Sequence, residues 1–250
     1  MFRQAQHDKR NMKLEICANS YQSAINAEKA GAHRIELCSE LAVGGITPSY
    51  GLLKKVIADI STPVHVLIRP RSGDFTYSNE EFEIMKDNIL LCKELGCAGI
   101  VSGILHKDNS IDIERIKELI ALSKPMSFTF HRAFDWVENP VEEIKKLETI
   151  DVDRVLTSGQ EASAEKGISL LKELKDKTSI KILPGGGINI DNVHVFKKAE
   201  FEEIHLSASV QIQTIETPKV SMNSSKLFDE TNISFSDIEI IQNILSKINE

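Results

Sequence analysis

Two short runs near the start of the chain, Glu15-Ile16-Cys17 and Glu36-Leu37-Cys38, each place a carboxylate two positions before a thiol. Carboxylates can take or give protons, and thiolates are soft metal ligands. A third run, Phe130-His131-Arg132-Ala133-Phe134-Asp135, ends an apolar stretch in a histidine, an arginine and an aspartate. Arg69 ends another apolar stretch, and two more lead into Pro184-Gly185-Gly186-Gly187-Ile188 and Ser207-Ala208-Ser209. Glycine lets backbone N–H groups approach an anion closely. The set comprises acid–base groups, cations, an anion cradle and a thiol pair, which suits chemistry on a small charged species.

Such groups act together only if a scaffold gathers them. From Lys13 onward, strand-like and helix-like segments alternate. Strands are expected at 14–18, 34–38, 64–68, 99–102, 126–130, 154–156, 180–183 and 203–206. Helices are expected up to residue 30 after Ser20 as N-cap, then at 48–60, 79–95, 111–123, 140–147, 162–175, 190–198 and 237–247. Eight such units predict an α/β protein with a single (β/α)8 TIM barrel. An open doubly wound sheet would more often show five or six strands and a glycine-rich first turn; here that turn is Ala18-Asn19-Ser20. Residues 1–11 read as an N-terminal extension without fixed structure. Residues 12–250 read as the barrel, with an irregular polar segment at 211–234 before the last helix.

Strand alternation then assigns faces. Leu14, Ile16, Ile35 and Leu37 suit the layer facing the helices, so Glu15, Cys17, Glu36 and Cys38 should face the lumen. The same parity turns inward His65, Leu67 and Arg69, Thr129 and His131, Val155 and Thr157, and His205 and Ser207. Catalytic groups in this fold gather at the C-terminal strand ends. Arg69, His131, Thr157, Ser158 and Ser207 are therefore expected to join Cys17 and Cys38 at one mouth, with Glu15 and Glu36 a layer below. Arg132 should turn away unless the strand has already ended, leaving it a supporting role, and Asp135 should cap the segment after it. Gly185, Gly186 and Gly187 with Ser207 form the expected anion or phosphate site, because loops after the last two strands often do so. A structural alternative stands beside this: Glu15, Glu36 and Arg69 could be a buried ion network, and His65 and His205 core hydrogen-bonders.

Composition narrows the partners. The hydrophobic fraction of 41% supports a sizeable core, and the net charge of −7 argues against a nucleic-acid surface. No apolar run reaches the roughly 18 residues of a membrane span. The first residues lack the apolar core of a secretory signal, and the four cysteines show neither disulfide-scaffold density nor a CxxC pattern. A cytoplasmic location with free thiols is expected.

Further runs complete a recognisable series: Gly44-Gly45-Ile46-Thr47-Pro48-Ser49, Ile68-Arg69-Pro70-Arg71-Ser72-Gly73-Asp74-Phe75 and Leu156-Thr157-Ser158-Gly159. With these in the same order, residues 12–209 closely resemble the CutC family. The resemblance implies a cytosolic barrel, oligomeric as a dimer or tetramer, active in copper homeostasis, with Cu(I) held at the matching positions Cys17 and Cys38. Two thiolates suffice for a linear Cu(I) site. Residue chemistry by itself supports an alternative, an enzyme acting on a small anionic or phosphorylated metabolite. There Glu15 or Glu36 is acid or base, His131 a proton shuttle and Arg69 an anion clamp, with Arg132 in support and the reaction left open.

Overall fold

The computed structural model describes residues 12–223 and 228–250; the expected N-terminal extension lies outside them. Eight strands run parallel: β1 Lys13–Ala18, β2 Arg34–Leu37, β3 Val64–Leu67, β4 Gly99–Ser102, β5 Ser127–Phe130, β6 Arg154–Thr157, β7 Lys181–Pro184 and β8 Glu203–Leu206. They are ordered β7-β6-β5-β4-β3-β2-β1-β8, and a parallel bridge from Gly185 to His205 joins the two outer strands. The sheet is a nearly closed barrel. Gly185 is needed at that seam, because a Cβ there would meet Leu156 at 2.5 Å and His205 at 3.2 Å.

Helices alternate with the strands: α1 Tyr21–Ala30, α2 Tyr50–Asp59, α3 Asn79–Leu95, α4 Ile113–Ser123, α5 Pro140–Glu148, α6 Ile168–Lys177, α7 Val193–Lys198 and α8 Ile238–Asn249. Local chemistry sets their ends. The Ser20 hydroxyl accepts the Ser23 N–H, and Gly31 stops α1 at φ 92°. Ser78 and Glu81 form a reciprocal capping box on α3. Apolar strand residues such as Ile16, Ile35, Ile100 and Phe128 face outward into one continuous core with Leu53, Met85, Leu119 and Ile144 of the helices.

Three expectations change. Helix α6 begins at Ile168 rather than near residue 162, because 159–167 folds back along the end of β7, where Ala164 N–H bonds Gly186 C=O. The polar segment at 211–234 is not wholly irregular: β9 Ser209–Gln213 and β10 Asn232–Ser236 pair as an antiparallel ribbon. On β6 the assigned faces are reversed. Val155 packs in the outer core, while Leu156 lines the mouth and Arg154 reaches Glu203 inside. Valine and leucine at adjacent positions give alternation nothing to distinguish; the buried ion pair of Arg154 decides the register.

Candidate functional site

A cleft of about 810 Å³ opens at the C-terminal ends of the strands. Cys17, Cys38, Arg69, His131 and Ser207 line it as expected, and so do Gly186 and Gly187; Glu36, expected a layer below, and Arg132, expected to turn away, line it too, whereas Thr157 and Ser158 do not. Glu15 lies beneath. Gly185 does not line the cleft, since it sits at the seam below; of the three glycines expected to form an anion site, Gly186 and Gly187, at φ +108° and +71°, line it.

The floor is one connected ion network. Arg34 donates through Nε to Glu15 and through Nη2 to Glu203 at 2.5 Å, and Arg154 Nε reaches the same Glu203 oxygen at 2.9 Å. His205 Nδ1 stands 2.7 Å from Glu15 and 3.3 Å from Glu36. Burial resists charge here, yet the Arg34 guanidinium and the neighbouring His205 hold Glu15 well below the usual carboxylate range. Burial likewise opposes charge on His205, but Glu36, Cys17 and Glu15 together raise its pKa well above normal. Among the described residues, the ion-pair partner of Glu36 is His205 and no arginine. Burial, aided by the Glu15 charge and opposed by His205 and the more distant Arg34, pushes the Glu36 carboxyl up to about 7.

Cys17 and Cys38 are free and buried, with sulfurs 3.6 Å apart. The bond to Cys38, then burial, raises the Cys17 thiol well above its ordinary pKa. Cys17, Glu36 and His205 also present ligand atoms all within 4.8 Å of one another.

Arg69 is committed to the loops. Its Nη1 donates to the carbonyls of Val43 and Gly45, each at 2.8 Å, and its Nη2 to Gly73 at 2.7 Å. It contributes charge to the cleft while most of its donors pin the walls. Arg132 does not turn away as expected: β5 ends at Phe130, and the 3₁₀ turn Arg132–Trp136 swings it back over the mouth. Its side chain is 47% exposed and bonds Asp135 at 2.7 Å and the Ser158 hydroxyl at 3.0 Å. A methyl built on Gly186 would lie 3.6 Å from this guanidinium, so the cation rests against the glycine turn. Asp135 does more than cap: it accepts from Thr157 Oγ1 at 2.5 Å and from the backbone of Ser158 and Gln160.

Sequence reasoning misses Arg34 and Glu203. Arg34 shares its parity with Glu36 and Cys38, a signal that could have found it. His205, expected as a core hydrogen-bonder, is buried and bonded to Glu15 as such, and it also meets Glu36 and lines the cleft. His65 does lie deep, its ring against Gly99, where a Cβ would come within 2.6 Å.

The CutC family model matches residues 12–210. A CutC family protein of Enterobacter sp. (strain 638) is 46% identical over 196 residues, covering 78% of this chain and 79% of that protein. One from Photorhabdus laumondii is 41% identical over 241 residues, covering 94% and 97%. Among solved structures, the putative copper homeostasis protein CutC from Streptococcus agalactiae aligns with a TM-score of 0.73 at 32% identity, over 78% of this chain and 97% of that one. KGPDC from Streptococcus mutans shares the fold, with a TM-score of 0.62 at 9% identity over 95% and 97% of the two chains.

Proposed function

The chain belongs to the CutC family, and we propose that its barrel mouth binds and transforms a small anionic metabolite, with a phosphate-type group held at the rim. The observation that carries this reading is Arg132 resting against the Gly186 turn at the edge of a cleft floored by Glu36 and His205. A guanidinium beside positive-φ glycines suits a phosphate, because a planar fork and close backbone approach both match its oxygens. The space far exceeds what one ion requires. Glu36 is the acid–base group, supported from below by Glu15 and His205. Inorganic phosphate and phosphorylated sugars should raise the melting temperature of the full chain. Arg132→Ala should remove the shift; no shift with any of them in the wild-type chain would overturn the reading.

A second reading is favoured by the sulfur pair. Cys17 and Cys38, 3.6 Å apart, are close enough for one Cu(I) ion to bridge, and soft thiolates select that ion. The Streptococcus agalactiae relative is described as a putative copper homeostasis protein, and such a role here would treat Cu(I) as cargo. Because Cys17 holds its proton tightly, binding would release protons and weaken in acid. Replacing Cys17 and Cys38 together by serine should abolish Cu(I) retention against a competing chelator; retention at wild-type strength would sink the site. We also propose a cytoplasmic homo-oligomer, a dimer or tetramer. The free cysteines support the location, and the exposed cross-strand pair Ile212 and Ile233 on the ribbon supports association.

A further inference from the structure

His131 is held in a state that the fold itself does not use. Its Nδ1 accepts the Ala133 N–H at 3.2 Å, capping the 3₁₀ turn, so the ring proton of the neutral form sits on Nε2. That Nε2–H is buried and has no hydrogen-bond partner among the described residues. The ring cannot easily turn to find one. Phe75 lies 4.9 Å away centroid to centroid, and a Cβ on Gly103 would meet Nδ1 at 2.6 Å. Burial, reinforced by the Arg69 charge, lowers the ring's pKa to about 3 and keeps it neutral. A buried N–H left unpaired has given up its hydration and gained no bond in return. Such a donor in the wall of a ligand cleft is explained when the occupant supplies an acceptor oxygen.

We infer that His131 Nε2–H donates to the carbonyl oxygen of the bound metabolite while the Glu36 carboxylate, in the same cleft, removes a proton from the adjoining carbon. The substrate class is a small phosphorylated hydroxy-ketone or hydroxy-aldehyde, and the reaction is enolisation. This rests on the anion-binding reading proposed above. The C–H bond breaks and its electron pair becomes the C=C bond. The former C=O pair moves onto oxygen, and the proton passes to Glu36. Glu36 returns it to either carbon of the enediolate as the hydroxyl proton shifts between the two oxygens, so nothing is oxidised or reduced overall. A neutral imidazole is the suitable donor, as in triosephosphate isomerase, because it polarises the carbonyl without surrendering its proton at the outset.

The test is ¹H NMR in D₂O with the full chain and a panel of phosphorylated ketoses and aldoses of three to six carbons. The wild-type chain should exchange the proton beside the carbonyl of at least one compound. Glu36→Gln should abolish exchange. His131→Ala should slow it by about 10²–10³-fold, chiefly in kcat, and His131→Gln, which keeps an N–H donor, should recover part. A separate ¹⁵N measurement of the imidazole should show protonated Nε2 and bare Nδ1 from pH 5 to 8. A ring that titrates between pH 6 and 7, or full exchange in His131→Ala, overturns the assignment. Phosphate stabilisation with no exchange across the panel removes the enolisation and leaves anion binding standing; loss of both removes both.

Discussion

The floor of the barrel and its mouth are built from the same residue types and arranged to opposite ends. On the floor, Glu15, Arg34, Glu203 and Arg154 form a chain of buried ion pairs in which each charge faces its opposite. Facing the cleft, Glu36 has His205 at 3.3 Å but no arginine ion pair among the described residues, His131 keeps a donor with no partner among them, and Arg132 is half exposed. Glu203 keeps one buried oxygen, Oε1, without a hydrogen bond, but its other oxygen is shared by two arginines, and a charge-matched buried network of this kind holds strands in register. A layer whose groups are displaced from their usual protonation and pairing is where a ligand has something to complete. The contrast identifies which carboxylate is structural, a point that burial could not decide, since Glu15 and Glu36 are both almost fully enclosed.

The largest effect should come from breaking the floor. Arg34→Ala removes the shared cation from two buried carboxylates, leaving Glu15 with His205 and Glu203 with Arg154, and should cost about 3–5 kcal/mol. Denaturant unfolding of the variant measures this, and a loss below about 1 kcal/mol would mean that the network does not hold the barrel. A smaller effect is expected at the mouth, through pH. The folded His131 ring stays neutral down to about pH 3, whereas an unfolded histidine takes its proton near 6.5. Below pH 6.5 the unfolded chain therefore binds the extra proton, and stability from this group, present above that pH, is lost as acid is added. His131→Gln should shrink the fall in stability between pH 8 and pH 5 by about 2 kcal/mol. Unfolding at the two pH values reads it directly, and an undiminished fall would place the ring in a solvated, titrating state.

Much of this contrast was legible in the chain. Hydrophobic period and capping residues gave eight strand–helix units, and Glu-x-Cys on adjacent strands could face only the lumen once the greasy positions were assigned outward. What alternation could not supply was partnership. It placed Glu15 and Glu36 on one footing, because which of them meets Arg34 depends on the stagger between β1 and β2, where Glu15 stands opposite Arg34 and Cys17 opposite Glu36. It failed on β6, whose apolar pair Val155 and Leu156 fits either face. It also treated Arg69 as free and Arg132 as turned away, since the loops that consume the first and the 3₁₀ turn that redirects the second are not periodic features.

Those two arginines give the finest test of the comparison. Arg69 spends three hydrogen bonds on loop carbonyls, so its removal would disturb the walls and the ligand together and could not separate them. Arg132 is separable. It is half exposed, and its ion pair with Asp135 is of the kind worth at most about 1 kcal/mol. Arg132→Lys keeps the charge at the rim but removes the planar fork that spans Asp135 and Ser158. Stability without ligand should change by less than about 1 kcal/mol. The rise in melting temperature with phosphate should nevertheless fall clearly below that of the wild-type chain, because a point charge cannot reproduce a two-pronged contact. An undiminished rise would show that charge alone recruits the anion, whereas a large loss of stability without ligand would move Arg132 from the mouth's open layer into the paired one.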